Sequence, residues 1–130
     1  MRGNIYFAKM PEQDVNVHSC ESGIRPVVVV SSQIGNRTNN TVIVCPITTK
    51  IKHKSCNVDI EWSNNGKQSQ VLCNQIQTIP KSILTFPCGY VTLEEQRKID
   101  IALLISLGIN IDYEGVKDYA CKRKYVKRSI

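Results

Sequence analysis

The chain reads as a mainly β protein with helices: a small barrel carrying one long helix towards its C-terminal end. Three observations predict this. Short runs rich in Val, Ile, Tyr and Phe recur from Asn4 to Val91, broken by clusters of Gly, Pro, Asn and Ser. Val58-Asp59-Ile60-Glu61-Trp62 alternates apolar with acidic residues and runs into Asn65-Gly66, a pairing that favours a tight hairpin. Only Thr92 to Gly108 carries helical periodicity together with a start and a stop signal. At 130 residues the chain can bury a core without disulfides or metals. The expected division is a barrel domain over residues 1–111 and a basic C-terminal extension over 112–130.

The first strand is Asn4-Ile5-Tyr6-Phe7-Ala8. Lys9 to Ser22 follows as a polar loop with Pro11, Glu12, Asp14, His18 and Glu21. Loops of that length are often binding segments, so its histidine and carboxylates lie where chemistry could use them. In Gly23-Ile24-Arg25-Pro26-Val27-Val28-Val29-Val30, Pro26 cannot donate to a ladder and holds Arg25 extended, which sets Arg25 at the mouth of a strand. The four valines then form a buried β-branched run.

Ser32 to Asn40 is rich in turn-forming residues and is read as the connection to the next strand, with Arg37 a candidate phosphate contact. Thr41 to Thr48 is that strand. Thr48 stands two residues beyond Pro46 and shares its face, so a hydroxyl and the Arg25 guanidinium could meet at one rim. Lys50-Ile51-Lys52-His53-Lys54 alternates basic and apolar residues, as an edge strand or a phosphate-facing strip would.

Beyond the Val58 hairpin, Gln70 to Cys73 and Gln75 to Ile79 continue in β fashion. Pro80 to Leu84 suggests a short helical turn before a strand from Phe86 to Val91. In the late helix Thr92 and Glu95 have capping-box spacing, and Gly108 is the stop. Ile99, Ala102, Leu103 and Leu107 form one stripe, which Ile101, Leu104 and Ile105 widen. A helix apolar over that much of its circumference packs on two surfaces, its own barrel and either a partner subunit or the tail.

The net charge is +6. Residues 110–130 carry six basic residues against three acidic ones, and residues 1–109 carry eleven against eight, so the excess is shared. A basic body suits a polyanionic partner, RNA or DNA, although many basic proteins bind neither. Tyr113, Tyr119 and Tyr125 lie among the tail's cations, where they could stack on bases or equally cover the core. The six cysteines show no paired spacing, and no apolar export stretch follows Met1, so reduced thiols and a cytoplasmic location are expected. Ile99 to Ile111 is too short to span a membrane and contains Asp100. Phosphate-binding loops, dinucleotide fingerprints, zinc spacings and a serine-nucleophile elbow are all missing, so neither a cofactor nor a metal is expected.

Several segments in order, Arg2-Gly3-Asn4-Ile5-Tyr6, Gly23-Ile24-Arg25-Pro26-Val27-Val28-Val29, Ile34-Gly35-Asn36, Thr41 to Val44, Pro46-Ile47-Thr48 and Asn74-Gln75-Ile76-Gln77-Thr78-Ile79, together resemble the MazF/PemK family of toxin endoribonucleases. The likeness covers roughly residues 2–111 and leaves out the basic tail. It implies an SH3-like barrel that forms a homodimer, binds single-stranded RNA in a groove and is held inactive by an acidic antitoxin protein. It further implies metal-independent cleavage at short sequence motifs, through attack of a ribose 2′-OH that leaves a 2′,3′-cyclic phosphate and a 5′-OH. Arg25 and Thr48 are the catalytic residues so implied, and His18, Glu21, Arg37, Lys50, Lys52 and Gln77 are candidate RNA contacts. Gln77 departs from the arginine that some members carry there. Two other readings remain: a same-fold toxin that binds a protein such as DNA gyrase, and a nucleic-acid-binding module without catalysis.

Overall fold

The computed structural model describes residues 1–10, 23–64 and 66–110. Expectations for Pro11 to Ser22, which include His18 and Glu21, and for the tail lie outside these residues.

Seven strands form one curled, half-barrel sheet: β1 (Asn4–Lys9), β2 (Ile24–Val29), β3 (Thr41–Thr48), β4 (Asn57–Asn64), β5 (Lys67–Leu72), β6 (Gln77–Pro80) and β7 (Leu84–Tyr90). Two helices accompany them, α1 (Gln33–Thr38) and α2 (Leu93–Ser106), and a 3₁₀ turn at Lys81–Ile83 precedes β7. The main strand order is β4-β5-β3-β2-β1-β7, and every pairing is antiparallel.

Strand β3 organises the curl. Along one side it pairs with β2. Along the other its first half, Thr41 to Val44, pairs with β6, and its end, Ile47 and Thr48, pairs with β5. A strand that changes neighbours part-way along must bend the sheet, and this bend carries the β4–β5 hairpin towards α2. The hairpin closes where expected, at Gly66 with φ of +78°, a backbone conformation that a side chain would oppose.

The valine run is buried throughout because the sheet is covered on both faces. Val28 and Val30 join Ile5, Cys45, Ile47, Val71 and Ile99 in the core beneath α2. Val27 and Val29 join Tyr6, Ala8, Val42, Val44 and Ile79 on the opposite face. The period of two along a strand divides four consecutive valines between two cores.

α2 begins with the expected capping box: the Glu95 amide donates to Thr92 Oγ1 at 3.1 Å, and the Thr92 amide donates to Glu95 Oε1 at 2.9 Å. Ile99 and Ala102 face the core, whereas Leu93, Ile101 and Ile105 are exposed along the outer side. Arg2 ties the N-terminus to this helix through Asp100 at 2.7 Å. No helix among the described residues is long and apolar enough to cross a membrane.

Two local expectations are corrected. Ser32 to Asn40 is not a plain turn, because Gln33–Thr38 forms a helix capped by Ser32 Oγ, which accepts from the Gly35 amide at 3.1 Å. The buried Asn36 side chain donates to the Ser31 carbonyl at 3.0 Å, so turn-type residues serve here as caps and anchors. Lys50 to Lys54 is not a strand. It lies in the connection between β3 and β4, and Ile51 is exposed beside the lysines.

Candidate nucleic-acid interface

One row of residues crosses the rim of the sheet. The β2–β3 register runs Val29↔Val44, Val28↔Cys45, Val27↔Pro46, and Arg25 and Thr48 each stand two residues beyond its last pair, at the same end of the two strands and on the face that Val27 and Pro46 share. On its other side Arg25 pairs with Ala8, and Thr48 pairs with Gln70, which in turn pairs with Asp59. Cross-strand partners share a face, so Arg25, Thr48, Gln70 and Asp59 line up across β2, β3, β5 and β4. Arg25 and Thr48 are half-buried, and Pro26 beside Arg25 is buried. The proline thus does what its backbone demands: it ends the apolar run and leaves the guanidinium at the strand mouth.

The Thr48 hydroxyl has a defined orientation. Its oxygen accepts from the Lys50 amide at 3.1 Å, which leaves the hydroxyl proton available to a further acceptor. The same turn starts the basic loop, with Lys50, Lys52, His53 and Lys54 all exposed. Lys9, at the end of β1, is exposed at the same end of the sheet and pairs with Ile24, the neighbour of Arg25. A cationic fork, a hydroxyl donor and several ammonium groups at one end of a sheet can bind a phosphate chain and stabilise charge that develops on a phosphoryl oxygen.

The other candidates are placed differently. Gln77 pairs with Val44 and so shares the face of Thr48, but it lies four residues back along β3, roughly 13 Å away. Its Oε1 is buried with no hydrogen-bond partner among the described residues. Arg37 is exposed in the last turn of α1, beyond the far end of β2, roughly 15–20 Å from Arg25. The structure brings Arg25, Thr48, Lys50 and Lys52 to one rim and leaves Arg37 at the opposite end of the strand pair.

Sequence reasoning missed Gln70 and Asp59 as parts of this rim. Gln70 is 3% exposed and uses both ends of its amide. Its Oε1 accepts from the Lys52 amide at 3.0 Å and from Asn57 Nδ2 at 3.2 Å, while its Nε2 donates to the Lys52 carbonyl at 3.0 Å and to Asp59 Oδ1 at 2.7 Å. Nothing in Gln68-Ser69-Gln70-Val71 distinguishes this buried glutamine from a solvent-facing one.

Two of the thiols among the described residues are held in the protonated form. A hydrogen bond with Cys45, together with burial, pushes the Cys73 thiol far above its ordinary range, and burial raises Cys88. Among the described residues no three His, Cys, Asp or Glu side chains converge to hold a metal ion.

The family model for the PemK-like, MazF-like toxin of type II toxin-antitoxin systems matches residues 1–107. The chain belongs to this family. It is 38% identical over 116 residues to the endoribonuclease EndoA of Bacillus subtilis strain 168, an alignment spanning 86% of this chain and 97% of that protein. Among solved structures it is similar to a mycobacterial endoribonuclease in complex with its cognate antitoxin, with a TM-score of 0.69, 25% identity and coverage of 86% and 98% of the two chains. The Mycobacterium tuberculosis toxin MazF-mt6 shares the fold, with a TM-score of 0.68 at 22% identity over 83% of this chain and 99% of that one. In this PemK/MazF-like chain the rim row thus belongs to a toxin fold.

Proposed function

We propose that this PemK/MazF-like chain is the toxin of a type II toxin-antitoxin pair and acts as an endoribonuclease on single-stranded RNA. The observation that carries the reading is the β2–β3 register, which brings Arg25 and Thr48 to one end of the strand pair beside the Lys50–Lys54 loop. The endoribonuclease relatives support it.

The chemistry is internal transfer. A ribose 2′-OH attacks the adjacent phosphorus, the bond to the 5′-oxygen breaks, and a 2′,3′-cyclic phosphate and a 5′-OH result. Charge builds on the non-bridging oxygens, where the Arg25 fork and the Thr48 hydroxyl act as preorganised donors. A guanidinium is a charged donor with no proton to spare at neutral pH, so Arg25 acts by charge rather than as a general acid. Of the three groups near enough in the chain to be weighed for taking the 2′-OH proton, Arg25 stays charged and has no acceptor site, which leaves His18 and Glu21. Because the nucleophile belongs to the substrate and cationic side chains supply the countercharge, the reaction proceeds without a metal. Lys50, Lys52, Arg37 and Gln77 contact the RNA.

The partners are an antitoxin with an acidic segment, which competes for the basic rim, and a second copy of this chain, which uses its remaining apolar surface. The mycobacterial complex with its antitoxin supports the first. The barrel domain spans residues 1–111, the basic extension 112–130, and the protein works in the cytoplasm.

The test is incubation of purified protein with a long single-stranded RNA and the matching DNA in EDTA, followed by mapping of the new ends. Discrete RNA cuts with 5′-OH ends and intact DNA are expected. Arg25→Ala should lower kcat about 10²- to 10³-fold, the usual loss when one transition-state donor is removed. No cutting of several diverse RNAs by folded, antitoxin-free protein would transfer the reading to a protein-targeting or purely binding toxin.

A further inference from the structure

We propose that Gln70 is a positioning residue for RNA: its side-chain amide holds the basic loop at the rim, so that Lys50 and Lys52 meet the phosphate chain beside Arg25 and Thr48. This rests on the ribonuclease reading above. The loop is supported at alternate residues. Thr48 Oγ1 takes the Lys50 amide at 3.1 Å, and Gln70 pairs with both backbone groups of Lys52 as a neighbouring strand would, each bond at 3.0 Å. The pairing substitutes for a ladder exactly where β3 has ended and β4 has not begun.

The orientation of the amide is dictated by its surroundings. Asp59 Oδ1 accepts from Nε2, whereas the Lys52 amide is a donor and can face only Oε1. Asn57 Nδ2 fills the second lone pair of Oε1 at 3.2 Å. Both donors and both acceptor positions of Gln70 are therefore used inside a nearly closed site, an arrangement that rigidifies what it holds.

Thr48 does not depend on this clamp. Its place is set by the backbone pairing of β3 with β5 and β2. The lysines do depend on it, because among the described residues the loop's other backbone bonds are a longer one from Asn57 Nδ2 to the Lys52 carbonyl at 3.4 Å and two nearer its end, from the Asn57 amide to the Lys54 carbonyl at 3.0 Å and from the Cys73 amide to the Cys56 carbonyl at 2.9 Å. Loss of the Gln70 amide should therefore weaken RNA binding and spare the chemical step.

Two variants and one amide test this. Gln70→Val fits a buried strand position but removes all four bonds. Gln70→Glu keeps the shape but cannot donate and sets a carboxylate against Asp59. Both are expected to raise KM for RNA about tenfold with kcat within about twofold, and to lower the slope of log affinity against log salt by about 0.7 for each lysine released. Hydrogen exchange should show the Lys52 amide protected in wild type and unprotected in Gln70→Val, while the β3–β5 ladder keeps its protection in both. Variants that keep the wild-type KM and salt slope would overturn the inference, as would a Lys52 amide that exchanges freely in the wild type. Should either variant not fold, the wild-type Lys52 amide still decides. Wild-type protein that cuts no RNA overturns the ribonuclease reading and this role with it; normal wild-type cutting with unchanged variants overturns this role alone.

Discussion

At Gly89 there is no room for a side chain. A Cβ built there would stand 2.3 Å from Trp62 Cδ1 and 2.4 Å from Nε1. The indole cannot easily retreat, since its Nε1 donates to the Cys88 carbonyl at 3.2 Å and its ring meets Phe7 edge-on at 6.2 Å. Gly89→Ala should cost about 1–3 kcal/mol through overpacking, read by urea denaturation with Trp62, the only tryptophan, as the fluorescent probe. Arg25 is a contrasting residue, fully legible from the chain, because a proline after it settles its backbone wherever the strand is placed. Gln70 is the opposite case. Its burial comes from Lys52, Asn57 and Asp59, residues brought to it across two strands, and no local pattern announces them.

Among the elements, α2 was readable down to its capping box, because the interactions that start a helix lie within four residues of one another. The structure adds a second duty to that box. Glu95 Oε2 also accepts from the Glu61 amide on β4 at 2.7 Å, so one carboxylate caps the helix and holds a strand. Thr92→Ala should cost about 1 kcal/mol, the ordinary loss of a cap, whereas Glu95→Ala should cost about 2–3 kcal/mol because two backbone donors lose their acceptor. Thermal melts of the two variants side by side check the order. α1 escaped sequence reading because six residues are too few to show a helical period, and its Ser, Asn and Gly are equally at home in a turn. The basic loop read equally as an edge strand or as a phosphate-facing strip because its lysines alternate with Ile51; in the fold it is no strand, and Ile51 is exposed beside the lysines.

For the molecule as a whole, two cores on opposite faces of one sheet explain why so short a chain buries four consecutive valines together with the Cys73 thiol, while Cys88 is half-buried at the edge of one core. Those thiols make stability depend on alkaline pH. The folded state keeps the Cys73 and Cys88 protons to higher pH than the unfolded chain, whose thiols titrate near the ordinary value of 9.0. The unfolded state therefore binds fewer protons once the pH passes about 9, and stability falls from there upward. Urea midpoints measured from about pH 8 to about pH 10 should decline, and Cys73→Ala should decline less steeply than wild type although it starts lower. The charge of the molecule was also readable as a total, but its use depends on where the fold puts each cation: Lys50 and Lys52 beside Arg25, Arg37 at the other end of the strands.

The sequence by itself determined what rests on near neighbours: strands that alternate, the Asn-Gly hairpin, the capped helix, Arg25 before its proline, and a family likeness carried by short contiguous segments. Only the tertiary structure decided which residues meet across strands. Arg25 and Thr48 at one end of the β2–β3 pair, Gln70 beneath Lys52 and Glu95 against β4 all bring together residues more than ten positions apart. Register and curl set them, and these depend on how β3 divides its edge between β6 and β5 to satisfy its backbone and bury both faces.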